Sequence, residues 1–334
     1  MNAFNNPVAA ALLAGSFLAG LPPVTAMNVT AVETAGQERA NYSGAVENMA
    51  EAIDRRYPIE ATAHKLAAAL RSAAKDPALL AMDEASFIEA INGVMWDVAH
   101  DLHLRVRSEA AAEARTKAGG GTAVPRMRRV TVAPGTALGT TSITGEMLDA
   151  ETGLLTITSP IYNNVDLFTE VLAKVSSAKN IILDVRNCPG GTVPGVQYFT
   201  SQFYGERTHL SSQISRRSDN LRKLWTVDTQ VGKKFADKTI YVLTSSHTAS
   251  GAEALSFALK NTDRATLVGE KTAGAGNAGA YIGVGEGLLM FLPISQTISP
   301  KTGKPWEAKG VVPHIESTAD TALEAALVTI KSRA

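Results

Sequence analysis

The chain has 334 residues, which at roughly 150 per domain suggests about two domains. Its 45% apolar and 19% charged residues exclude a mostly disordered chain. Lysine plus arginine and aspartate plus glutamate both number 32, so the formal charge is zero and the basic excess of a nucleic-acid binder is missing.

Residues 8–21 are almost wholly apolar and are closed by Pro22 and Pro23, with Val24-Thr25-Ala26 behind them. The run is shorter than the ~20 residues a membrane span needs. With the small-x-small site it reads as a signal peptide over residues 1–26, although residues 1–7 carry no lysine or arginine. The expectation is a periplasmic or secreted protein with no stable membrane insertion once the signal is removed.

Residues 27–107 read as an N-terminal helical domain. Val46, Met49, Ile53 and Tyr57 recur every three to four positions, as do Phe87, Ile88, Ile91, Met95 and Val98. Breaks at Pro58 and Pro77 predict three helices. Residues 108–142, with Gly119-Gly120-Gly121 inside, read as a linker and the start of the next unit. From residue 143 strands alternate with helices: strands at 154–157, 180–185, 239–243 and 265–268, helices through Phe168 and at 252–259, and a closing helix at 321–330. That order predicts an α/β core over residues 143–334 with a partly parallel sheet. The single cysteine, Cys188, allows no disulfide within the chain, and no Cys/His cluster has zinc-ligand spacing. The pair His100 and His103 lacks a supporting carboxylate motif, so no metal site is assigned.

Four stretches carry candidate chemistry. In 184–191 a buried strand ends at Asp184, Arg186 and Asn187, then turns through Pro189-Gly190-Gly191 into a helix. Glycines there bring backbone N–H groups close to a ligand atom, and the helix start adds positive potential. The same residues also suit a tight turn with no ligand. In 243–253 another strand leads into a helix with Ser250 at its start. Such a serine is either a nucleophile or a helix cap, and alone the cap is the simpler reading. His103 follows the last helix of the N-terminal segment and is either a general base or a structural histidine. Glu307 precedes Gly310-Val311-Val312-Pro313, read as a strand, and is either an orienting or a solvated carboxylate.

Taken in order, these stretches resemble the serine peptidase family of the C-terminal processing (tail-specific) proteases, with tricorn core protease and the interphotoreceptor retinoid-binding protein. The matching elements are Asp101-x-His103, Asp184-x-Arg186-Asn187-x-Pro189-Gly190-Gly191, Thr248-x-Ser250-x-x-Glu253, Gly269-Glu270-x-Thr272-x-Gly274 and Trp306-Glu307-x-x-Gly310-Val311-x-Pro313. The resemblance implies a ClpP/crotonase-like ββα core after a small helical segment. It implies Ser250 as nucleophile, with oxyanion donors in the backbone N–H of Gly251 and of Gly190 or Gly191. The processing branch places a lysine base about 25 residues after the serine; here Ala275 stands there and Lys271 is out of register. The tricorn-like branch uses a histidine and a glutamate instead, which implies His103 as base and Glu307 as its orienter. Leu102 stands where that branch has a second serine, and His314 follows Pro313 where aspartate is usual. About 40 residues separate His103 from the first core strand, too few for the PDZ module of the processing branch.

The function implied is a serine-type peptidase that needs no cofactor and acts on unstructured or C-terminal segments of proteins. A reading from another class is a catalytically inactive protein that binds an apolar small molecule or peptide tail on the same fold.

Overall fold

The computed structural model describes residues 42–112, 141–216, 218–229 and 235–333. The expected signal peptide and most of the expected linker lie outside these residues.

The described residues open with four helices: α1 (Tyr42–Arg56), α2 (Glu60–Ala73), α3 (Pro77–Leu80) and α4 (Glu84–Ala99). The single turn α3, capped by the Asp76 carboxylate on the Ala78 amide, is one helix more than the proline breaks predict. His100 adopts a left-handed conformation (φ 49°) and ends α4. The chain then turns through Asp101–Leu104 into strand β1 (Arg105–Ser108). Asn92 on α4 exchanges two hydrogen bonds with the Val106 backbone, at 2.7 and 3.0 Å, which ties helix to strand.

Residues 141–333 supply β2 (Ile143–Met147), β3 (Thr152–Ile157), α5 (Val165–Lys174), β4 (Asn180–Asp184), α6 (Val193–Ser201), β5 (His209–Ser215) and β6 (Ser218–Trp225). They continue with β7 (Thr239–Thr244), α7 (Gly251–Asn261), β8 (Ala265–Gly269), β9 (Asn277–Gly285), β10 (Leu288–Ile298), β11 (Ile315–Glu316) and α8 (Ala322–Arg333). The expected α/β class is what the structure has. One sheet runs β11-β8-β7-β4-β3-β2, with β3, β4, β7, β8 and β11 parallel and β2 antiparallel. The period-2 alternation of β4 and β7 sends Ile181, Leu183, Ile240 and Val242 toward α5, α6 and α7, and Ile182, Tyr241 and Leu243 toward α8. The strand read at 310–313 is instead a loop, and β11 begins at Ile315. His314, which has no counterpart in the family pattern, accepts the Leu267 amide on Nδ1 at 2.9 Å while its own amide donates to the Leu267 carbonyl. It thereby prolongs the β8 edge.

The second sheet is antiparallel. Strand β10 carries β9 along one side and β1 and β5 on the other, and β6 pairs with β5. Val284, Leu288, Met290 and Leu292 of this sheet share one buried cluster with Val46, Met49, Ile53, Leu66, Phe87 and Ile91 of the helices. The helical segment and this sheet therefore cover each other's apolar faces.

Candidate active site

Strands β4 and β7 are parallel neighbours, so the loops at their carboxyl ends lie side by side, where open α/β sheets bind ligands. The two loops are stitched together. Thr248 Oγ1 donates to the Val185 carbonyl at 2.9 Å, the Ala249 amide to the Cys188 carbonyl at 3.2 Å, and Ser245 Oγ to the Arg186 carbonyl at 2.5 Å. Arg186 itself grips Asp184 through two bonds at 2.6 and 2.9 Å and reaches the Ala319 carbonyl, so this part of the motif is architectural. Asn187 and Pro189 are exposed on the turn. Burial of Cys188 pushes its thiol up to about 11, so it is an inert core residue.

Ser250 stands at the start of α7 with φ 52° and ψ −116°, a backbone conformation that costs a non-glycine residue about 1–3 kcal/mol. Glu253 holds it there. This fully buried carboxylate accepts the Ser250 amide at 2.8 Å and the Ala275 amide at 2.8 Å on Oε2, and Gly274 N–H at 2.7 Å and Thr272 O–H at 2.5 Å on Oε1. Burial raises the Glu253 pKa, and the four donors counter that rise.

The glycine turn presses on the serine. A Cβ on Gly190, whose φ is 132°, would stand 2.8 Å from Ser250 Cβ and 3.2 Å from its Oγ. A Cβ on Gly251 would stand 2.7 Å from the Gly191 nitrogen. Gly191 bridges Ile161 in parallel register, with the Ile161 amide on the Gly190 carbonyl and the Thr192 amide on the Ile161 carbonyl. That pattern turns Gly191's own N–H away from Ile161. Among the described residues, the amides of Gly191 and Gly251 donate to no protein acceptor. Free N–H groups converging beside a hydroxyl are what an oxyanion site requires.

His103 comes from the helical segment. Its ring stacks on Phe291 of β10 with centroids 5.1 Å apart, and Arg105, two residues on, is the register partner of Phe291. His103, Ser250, Gly191 and Gly251 line one cleft, walled by α6 and α7 on one side and by the antiparallel sheet on the other. Its apolar wall includes Val196, Leu210, Leu224, Ala254 and Trp306. Burial lowers the His103 pKa; the charge of Asp101 and the Asn277 backbone carbonyl act against this, and Arg105 adds to it. Ala275 lines the cleft in the place a lysine base would take, and Lys271 is exposed outside it.

Glu307 sits behind the cleft. Its Oε2 accepts the amides of Gly276 and Asn277 at 2.6 and 2.7 Å. Burial and the charge of Asp101 push its carboxyl up to about 8. Among the described residues, no direct hydrogen bond or ion pair joins Glu307 to His103; Glu307 Oε1 and His103 Nδ1 are both buried without a protein partner. Asn277, which sequence reasoning passed over, lies between them: its amide binds Glu307 and its side chain binds Asp101. The role of Glu253 was also unread, because its four donors come from separate places along residues 250–275.

The model of peptidase family S41 matches residues 151–317, half of the chain. The chain belongs to peptidase family S41. It is 28% identical over 137 residues to the carboxy-terminal-processing protease of Bartonella bacilliformis, covering 41% of this chain and 30% of that protein. It is 30% identical over 124 residues to the carboxyl-terminal-processing protease of a Picosynechococcus species, covering 37% and 28%. The matched stretch thus spans under a third of these relatives. Among solved structures, the photosystem II D1 C-terminal processing protease has the same fold, with a TM-score of 0.55 at 15% identity over 84% of this chain and 94% of that one.

Proposed function

We propose that this S41 chain is a serine-type peptidase that hydrolyses peptide bonds through an acyl-enzyme on Ser250. The observation that carries the reading is the strained, positive-φ Ser250 with the unpaired amides of Gly251 and Gly191 beside it. In this mechanism His103 takes the Ser250 hydroxyl proton as Oγ attacks the substrate carbonyl carbon. The oxyanion is held by Gly251 N–H and Gly191 N–H, with Gly190 adjoining. Collapse breaks the C–N bond, and the leaving amine takes the proton from His103. Water, deprotonated by the same imidazole, then attacks the acyl carbon; the C–O bond to Ser250 breaks, the acid product leaves, and the imidazolium returns the proton to Ser250 Oγ. Glu307 acts as orienter by fixing the backbone of Gly276 and Asn277 beside the histidine, not by touching the ring.

The relatives' name, carboxy-terminal-processing protease, supports unstructured or C-terminal protein segments as substrates. The apolar leader over residues 1–26 supports export to the periplasm or beyond; no helix among the described residues is long and apolar enough to cross a membrane.

The test is labelling of the purified protein by a fluorophosphonate probe, with the adduct located by peptide mass spectrometry and casein cleavage followed in parallel. The expected result is one adduct on Ser250, with labelling and cleavage both lost in Ser250→Ala. A wild-type protein that neither labels nor cleaves would favour the non-catalytic binding reading.

A further inference from the structure

Asp101 is the acidic group the mechanism above leaves unused. It is 3% exposed, in the turn that carries His103. Its Oδ1 accepts the His103 amide at 2.9 Å, which fixes the turn two residues ahead. Its Oδ2 accepts Asn277 Nδ2 at 2.9 Å and the Tyr57 hydroxyl at 3.0 Å. Three donors on one buried carboxylate match the acceptor-only chemistry of its ionised form. They arrive from three places: the end of the α1 segment, the start of β9 and the turn itself. Tyr57 is 1% exposed and Asn277 fully buried, so neither bond competes with bulk water.

We propose that Asp101, held by Tyr57 and Asn277, is a second carboxylate that positions His103, by fixing the turn they share, and that its negative charge acts on the imidazole. Tyr57 and Asn277 are then positioning residues. The proposal rests on His103 being the base for Ser250. The electrostatics agree with the geometry: the charge of Asp101 favours protonated His103, whereas Glu307 spends Oε2 on two amides and is itself pushed toward its neutral form by Asp101. Phe291 on β10 stacks on the imidazole, the Asn277 carbonyl on β9 bonds it, and the charges of Asp101 on its own turn and Arg105 on β1 act on it. Tyr57 and Glu307 stand one residue further back.

The experiment measures the fluorophosphonate labelling rate of the full chain against pH for wild type, Asp101→Asn, Tyr57→Phe and Glu307→Gln. Asp101→Asn removes the charge that helps His103 hold a proton, so the acid limb should move to lower pH. The plateau rate should fall roughly 10- to 100-fold, part of the about 10²- to 10⁴-fold that general-base catalysis supplies. Tyr57→Phe keeps the carboxylate and removes a donor that offsets its charge, so the limb should move the other way, to higher pH. A purely structural role would change rate or stability and leave the limb in place. Where Asp101→Asn does not fold, Tyr57→Phe decides by itself. A limb unmoved by these substitutions, or one abolished by Glu307→Gln, overturns the proposal while Ser250 remains labelled. Absence of any Ser250 labelling in wild type overturns the catalytic reading and this proposal with it.

Discussion

The Ser250 amide lies 2.8 Å from Glu253 Oε2, so the backbone of the proposed nucleophile is held by a carboxylate three residues downstream. The same carboxylate takes the amides of Gly274 and Ala275. The conformation of Ser250 and the wall opposite it are therefore set by one group. Glu253→Gln puts an amide NH₂ against at least one backbone N–H. The expected cost is about 1–3 kcal/mol of stability, together with slower Ser250 labelling because the serine amide is released. Urea unfolding and probe kinetics on the same sample check both parts; a variant equal to wild type in both would show that the four bonds carry no weight.

Gly190 tests the contact between the turn and the serine. In Gly190→Ala the methyl would meet Ser250 Cβ at 2.8 Å, on a backbone with φ 132°. The chain must shift either the serine or the amides that flank it. Removing a single oxyanion donor typically costs about 10²- to 10³-fold in kcat, and a loss of that order is expected here while the cooperative thermal transition is retained. Full activity in Gly190→Ala would mean that this turn does not build the oxyanion site.

The identity of the base is visible in the pH profile. Burial holds the His103 imidazole below its ordinary value of 6.5, so the neutral, basic form persists into mild acid. Activity should therefore persist into mild acid and decline only in more acidic solution; a lysine base would instead require alkaline conditions. His103→Ala should be nearly as damaging as Ser250→Ala, and Lys271→Ala should leave the profile intact. Survival of activity in His103→Ala, with loss in Lys271→Ala, would reverse the assignment.

Glu307 makes stability depend on pH. Its carboxyl is pushed up to about 8, against an ordinary 4.5, so between these values the folded protein binds a proton the unfolded chain has released. Stability from this group is full below pH 4.5 and is lost as pH rises toward 8. Glu307→Gln removes the titration. Relative to wild type the variant should gain stability as pH rises from 5 to 8, read as unfolding midpoints at several pH values. A constant difference across that range would show that Glu307 is ionised throughout.

Much of the parallel sheet is legible in the sequence, because β4 and β7 are short apolar runs, Asn180–Asp184 and Thr239–Thr244, that only a strand buried on both faces explains. The second sheet is not. Strand β5 reads His-Leu-Ser-Ser-Gln-Ile-Ser and β9 contains three glycines, so neither shows an apolar pattern. Their burial comes from partners far along the chain. The site divides in the same way. Ser250, His103 and the Gly190-Gly191 turn stand in short motifs that are ambiguous one by one and informative only in their order along the chain. Asp101 meets Tyr57 44 residues earlier and Asn277 176 residues later, contacts that no spacing rule announces. The direct Glu307–His103 contact suggested by the family pattern is replaced by the intervening Asn277, whose side chain gave no signal of its own.

The shared core of the helices and the antiparallel sheet has a practical side. The region matched by the family begins at residue 151, yet His103, Asp101 and Tyr57 lie before it. A protein trimmed to that boundary would keep its proposed nucleophile, lose its proposed base and bare Val284, Leu288, Met290 and Leu292 to water. Such a fragment should be inert and prone to aggregate. A helical piece ending at Ala112 and a second piece beginning at Thr141 each carry one half of the reacting pair and one half of an apolar seam. Produced together, they should behave as a split enzyme, in which hydrolysis reports that two separate polypeptides have met.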